Sequence, residues 1–193
     1  MIQNSINAGV ENQAGSLQRA GTFDGLIPAM MFAAVQSDYT LSAASGVQSA
    51  FPSTCDVWTL EGSTSYYMRG FYLMNTGSTT HTTAMAFALG GGASVTSWQY
   101  KTLLWSAAAN TIATAQSTTH VSGVASKVLN ATSAAVWTMI EFEGFIRMNA
   151  GGTVTPQINF SANPTGTNLM KVGSFIMFTP MGSNTVEKFG NVG

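Results

Sequence analysis

Apolar and polar residues alternate with a period of two over long stretches of the chain, the spacing of strands with one buried face. In 136–148, Trp137, Met139, Glu141, Glu143, Phe145 and Arg147 fall on one face. Val136, Ile140, Phe142, Ile146 and Met148 fall on the other. In 81–89, Met85, Phe87 and Leu89 alternate with Thr82, Ala84, Ala86 and Ala88. Residues 65–74 are dense in the aromatic side chains that strands favour, and 94–105 carry Val95, Trp98, Tyr100 and Leu103. Segments 153–161 and 172–181 complete the set. Turn chemistry separates them at Asn75-Thr76-Gly77-Ser78, Gly90-Gly91-Gly92, Ala150-Gly151-Gly152 and Asn163-Pro164-Thr165-Gly166. In 106–135, Ala107-Ala108-Ala109 and the stretch Ala113–Gln116 could make a helical turn. Their neighbours Thr111, Thr114, Thr118, Thr119 and Val121 lean to strand, so the stretch reads as strands and loops. No long helix is expected.

Two segments echo each other. Arg69–Gly77 and Glu143–Gly151 share Gly-Phe, Met-Asn and a closing Gly in register. Such a pair suits a two-sheet β-sandwich whose hairpins face each other. Residues 1–36 differ from the rest of the chain: Met1–Gly21 is polar and unpatterned, and Leu26–Val35 is a compact apolar run. The expected organisation is an N-terminal extended arm, 1–36, before a β-domain, 37–193. The arm either packs on its own domain as a first strand or reaches a neighbouring subunit. Phe23, Leu26, Ile27, Met30, Met31 and Phe32 are the candidates for that anchoring contact.

Composition narrows the function. Of 193 residues only 8% are charged, against about 25% in ordinary soluble domains. The net charge is −1 while the hydrophobic fraction is 45%. A sparse, balanced charge offers no basic stripe, so no nucleic-acid partner is expected. The longest apolar run, Leu26–Val35, contains Pro28 and falls well short of the roughly 20 residues of a membrane-crossing helix. No membrane partner is expected, and the first residues, Met1-Ile2-Gln3-Asn4-Ser5, lack the cationic start of a secretion signal. One cysteine and two histidines leave little for a disulfide, a metal or a cofactor, and none is expected.

The few chemical candidates have plain alternatives. Glu141 and Glu143 lie two apart on one strand face, about 7 Å along it, a spacing open to glycoside hydrolysis. Two acids on an exposed strand are otherwise a solvated face paired with Arg147 or Arg69. Three copies of His81 around a threefold axis could hold a metal, though a hydrogen-bonded histidine explains it as well. Cys55 has no histidine partner and reads as an inert thiol. Gly90-Gly91-Gly92 lacks the lysine and helix of a phosphate loop and reads as a turn. The chain is expected not to be an enzyme.

The run from Glu143-Gly144-Phe145-Ile146-Arg147-Met148-Asn149 through Pro156 to Ser161 resembles small β-rich virion proteins and fibre tips of tailed bacteriophages. So does the ending Gly173-Ser174-Phe175-Ile176-Met177-Phe178-Thr179-Pro180-Met181 and on to Val186. The phrase Ser45–Pro52 followed by Ser65–Gly70 is similar to the same group. The likeness runs over most of 40–193. It implies an all-β fold, an antiparallel jelly-roll β-sandwich of the tumour-necrosis-factor or C1q kind, homotrimeric and without catalytic residues. It implies either a capsid decoration (cement) protein or a fibre knob recognising host glycans. Only a short arm stands where a fibre would carry a repetitive shaft. That favours the capsid surface of a virion made in the host cytoplasm, with the major capsid protein as the partner besides the chain itself. The arm and the trimer would together clamp the shell.

A trimer can hide apolar area that a monomer cannot. Tyr66, Tyr72, Trp98, Tyr100 and Trp137 are expected to face outward into that contact, each otherwise being plain core. The 11 methionines are read as fillers of irregular core gaps.

Overall fold

The structure, a computed structural model, describes residues 30–108, 116–133 and 136–183. Among these residues the strands are, in chain order, β1 (Met31–Ala34), β2 (Tyr39–Leu41), β3 (Gly46–Ser49), β4 (Trp58–Leu60), β5 (Thr64–Asn75), β6 (His81–Gly90) and β7 (Ser94–Ala108). They continue with β8 (Gln116–Ser122), β9 (Lys127–Ser133), β10 (Val136–Ala150), β11 (Gly152–Phe160), β12 (Asn168–Met170) and β13 (Phe175–Ser183). No helix occurs among the described residues. The stretch expected to be strands and loops contributes the end of β7 together with β8 and β9; its residues 109–115 and 134–135 lie outside the described set.

The strands form two antiparallel sheets. The larger runs β1-β13-β5-β10-β7-β8, with β12 and β2 continuing beside β5. The smaller runs β3-β11-β6-β9, with β4 also on β11. The pairing is nested: β1 meets β13, β3 meets β11, β5 meets β10, and β6 meets β9. The β7–β8 hairpin is added outside β10. From β5 onward the chain passes from one sheet to the other at most connections. Sheet alternation of this kind follows from the sequence, because each strand has one apolar side and needs a second sheet to bury it.

The core lies between the sheets. From the larger sheet come Met68 and Met74 of β5, Ile140, Phe142, Ile146 and Met148 of β10, and Ile176 and Phe178 of β13. From the smaller come Met85 and Phe87 of β6 and Val154, Ile158 and Phe160 of β11. Aromatic edges knit the two together: Phe87 packs on Trp98 at 4.5 Å and on Tyr100 at 5.7 Å, and Trp58 on Phe178 at 5.8 Å. Five of the methionines fill the core as expected, Met68, Met74, Met85, Met148 and Met170 being at 0% exposure, whereas Met30 and Met181 are each 54% exposed.

Two expectations are corrected here, and one of two alternatives is decided. Tyr66, Tyr72, Trp98 and Tyr100 do not face outward. They are 3%, 0%, 1% and 2% exposed and form the middle of the core. Strand phase decides this: Arg69 on β5 and Lys101 on β7 point to solvent, so even-numbered residues on both strands point inward. Burying each large aromatic ring is worth about 2–3 kcal/mol, which outweighs the polar tip that made these residues look like contact residues. Tyr66 keeps its tip satisfied by accepting the Glu61 N–H at 2.9 Å.

The echoing segments are not facing hairpins. They lie side by side as β5 and β10 in one sheet, and each continues into the other sheet. The end of the expected arm follows the first of its two alternatives: Met31–Ala34 packs on its own domain as a first strand, at the sheet edge against β13. Met31 packs against the chain's own core and is not free for an anchor, whereas Met30 and Phe32 are each 54% exposed. Phe23, Leu26 and Ile27 lie outside the described residues. The Gly90-Gly91-Gly92 turn is as expected: Gly91 and Gly92 take φ of +61° and +82° between β6 and β7, a region that suits glycine.

Candidate functional site: the outer face of the larger sheet

Because side chains alternate, the strands that fill the core also build a second surface on the far side of the larger sheet. Strand register arranges that surface in rows. Phe175, Phe71, Glu141 and Leu103 stand opposite one another across β13, β5, β10 and β7. One step along come Met177, Arg69, Glu143 and Lys101, with His120 of β8 beyond. Beyond that come Thr179, Tyr67, Phe145, Gln99 and Ser122. On the other side lie Leu73, Met139 and Trp105, then Asn75 and Trp137.

The surface is aromatic: Phe32 and Phe145 are exposed on it, and Tyr67, Phe71, Trp105, Trp137 and Phe175 are half-buried. Phe145 is 57% exposed and leans on Tyr67 at 5.5 Å. Phe32 sits 5.7 Å from Phe175, which stacks on Phe71 at 6.4 Å. Trp137, the one expected contact residue that does face outward, is half-buried under the Lys171 ammonium, 5.6 Å from its ring centroid. Every described strand belongs to one of the two sheets, so none forms a third layer over this face. Single exposed apolar residues are ordinary on a protein surface; a contiguous aromatic face is the kind of surface that interaction sites use.

An ionic row crosses the aromatic field. Arg69 Nη2 donates to Glu141 Oε1 at 3.1 Å, and Lys101 Nζ to Glu143 Oε1 at 2.7 Å. The Tyr67 hydroxyl donates to Glu143 Oε2 at 3.0 Å. The Lys101 ammonium, and then the Tyr67 hydroxyl, hold the Glu143 carboxyl below the usual carboxylate range. The same hydrogen bond raises Lys101, while Tyr67 is raised first by burial and then by Glu143. A general acid for glycoside cleavage needs its carboxyl pushed up. Glu143 is shifted the opposite way. The expected partner of the acids was Arg147 or Arg69; Arg69 does pair with Glu141, and Lys101, brought alongside only by the β7–β10 register, takes Glu143.

The remaining candidates lie apart from this face. His81 is buried at the start of β6, with Nδ1 2.8 Å from the Thr79 carbonyl oxygen and its ring 5.1 Å from Phe160. Cys55 is a partly buried free thiol in the turn after Pro52. Among the described residues no group of three or more His, Cys, Asp or Glu could hold a metal ion, and no helix is long and apolar enough to cross a membrane.

What sequence reasoning missed is the outer members of β5 and β13: Phe71, Leu73, Phe175 and Met177. For Phe71 and Leu73 the signal was available, since they share strand phase with Arg69 on β5; Phe175 and Met177 come alongside only through the β5–β13 register. Comparison with models of protein families, with curated proteins and with solved structures finds no match for this chain.

Proposed function

We propose that this chain is a non-enzymatic structural protein of a phage virion, a homotrimeric capsid decoration protein that clamps and stabilises the head shell. The observation that carries the reading is the outer face of the larger sheet, a wide aromatic surface on a sandwich whose core is already complete. Such a surface is suited to packing against protein. The nested pairing of β1 with β13, β3 with β11, β5 with β10 and β6 with β9 supports a jelly roll, which is an eight-stranded antiparallel chain folded over two sheets. Fold by itself serves many functions; the virion assignment draws on the resemblance of 143–161 and 173–186 to phage virion proteins.

The mechanism is mechanical. A clamp adds buried area that expansion of the shell would have to expose, and so shifts the equilibrium toward the closed shell. The test is to image particles made with and without the protein and to count copies. Hundreds of copies over the head, with heads that burst more readily in their absence, are expected. A handful at a fibre tip would assign the fibre-knob role, with host glycan as the partner, and no copies in the particle would overturn the virion reading. In the same assay, protein lacking residues 1–20 should remain soluble and fail to coat heads; equal coating would remove the arm from the mechanism.

A further inference from the structure

We infer that the core of the sandwich binds ordered water, one molecule or a short file, held by the hydroxyls of Tyr72 and Tyr100 and the indole N–H of Trp98. The inference stands apart from the virion reading, and its failure would leave that reading untouched.

Polar atoms sealed into a core are nearly always hydrogen-bonded, because an unmet donor or acceptor forfeits the bonds it made in water. The inner face of the larger sheet keeps that rule at Tyr66, which accepts the Glu61 N–H, and at Thr102, whose hydroxyl donates to the Thr119 carbonyl at 3.3 Å. It departs from the rule at three neighbouring aromatic residues. Tyr72 Oη, Tyr100 Oη and Trp98 Nε1 have no hydrogen-bond partner among the described residues, and none of the three residues is more than 2% exposed. Their polar tips suggested a contact surface; inside the core those tips still need a partner.

The sheet brings the three to one region. Tyr72 of β5 and Tyr100 of β7 flank β10, and Trp98 stands two residues before Tyr100 on the same face. Opposite Tyr100, β10 carries Gly144, where a Cβ would stand 2.4 Å from that of Tyr100. Glycine there lets Tyr100 sit against the β10 backbone, with no β10 side chain between it and β5. The two phenols are near enough that Tyr100 adds to the upward shift burial imposes on Tyr72. The walls are rings: Phe87 packs on Trp98 and Tyr100, and Phe142 and Phe51 on Tyr72 at 4.8 and 5.6 Å. Among the described residues the core buries no Asp, Glu, Lys or Arg, so the ligand is neutral. Water fits these groups, since an indole only donates, a phenol donates and accepts, and a buried water makes about three bonds.

The experiment reads the sign of a stability change at pH 7. Tyr72→Phe, Tyr100→Phe and the double variant are compared with the unaltered chain by denaturant unfolding. If water joins the hydroxyls, either single change breaks the bridge and strands the other end. The folding equilibrium constant should then fall about five- to tenfold in each. The double variant removes both ends, and its loss should be much smaller than the product of the two. If the hydroxyls have no partner at all, deleting one relieves a penalty and the constant rises. A rise or no change in either single variant, or losses that simply multiply, would overturn the inference. Should a variant fail to fold, a crystal structure of the unaltered chain decides. Ordered water within hydrogen-bond distance of the Tyr72 and Tyr100 hydroxyls is expected there, and a dry core around them would overturn the inference.

Discussion

The Phe142 ring lies directly over Gly70 across the β5–β10 pair, so close that a methyl group on Gly70 would stand 2.1 Å from Cζ of that ring. Gly70 is thus the floor of a slot in the core, and Phe142, 1% exposed and edge-on to Tyr72 at 4.8 Å, fills it. Replacing Gly70 by Ala should cost about 1–3 kcal/mol through overpacking. The test is a denaturant midpoint shift, and adding Phe142→Leu should restore part of it, since the two changes share one space. Additive losses would show that the slot is not shared.

Acid stability should track Glu143. Its carboxyl is depressed in the fold by Lys101, so the folded state holds fewer protons there than the unfolded chain. The pair therefore contributes fully above the ordinary value of 4.5, and its contribution is lost as pH falls from there through the folded value. Denaturation series at pH 7, 4.5 and 3 should show stability declining below 4.5, with a shallower decline in Glu143→Gln. An identical decline in the variant would mean that other carboxyls carry the dependence.

Alkali should act through the core tyrosines. Burial raises Tyr72 well above the usual tyrosine value of 10, and raises Tyr100 as well. Both are neutral in the fold where the unfolded chain would ionise, so stability is intact below pH 10 and falls as pH climbs beyond it. Absorbance titration should show these two phenols ionising together with loss of near-ultraviolet dichroism. Tyr72→Phe with Tyr100→Phe should move the alkaline unfolding midpoint upward. Ionisation of all the tyrosines while the dichroism stays native would refute the account.

Asp38 ties the segment after β1 to the β12–β13 connection by two bonds, one with the Lys171 ammonium and one accepted from the Val172 N–H at 3.1 Å. The ammonium depresses the Asp38 carboxyl, with the Val172 bond adding to the effect. Asp38→Asn keeps an acceptor for Val172 and loses only the charge, whereas Asp38→Ala loses both. The thermal midpoint should therefore fall further for Ala than for Asn, and salt should lower the unaltered protein more than either variant. Equal midpoints for the two would remove the backbone bond from the argument.

Much of this fold is legible in the sequence because the strands are long and alternate strictly. The faces of β10 read correctly from Trp137 to Met148, since its charges at 141, 143 and 147 mark the wet side. The error at Tyr66, Tyr72, Trp98 and Tyr100 has a specific origin. Alternation tells which residues share a face but not which face is inside, and each of those strands carries a single charged residue, Arg69 or Lys101, to settle it. A tyrosine hydroxyl or an indole N–H suggests water, yet in a sandwich core the ring area dominates. The side-by-side placement of β5 and β10 was beyond local reading, because only the nested order of all the strands decides which sheet each joins.

That nested order also sets a timetable. The partner of β1 is β13, so the first described strand of the chain waits for the last one to leave the ribosome before its ladder can close. Long-range antiparallel pairing of this kind makes folding slow. During that interval β1 and the edge of β5 that β13 will cover are bare, and the protein's yield in the cell depends on how briefly they stay so.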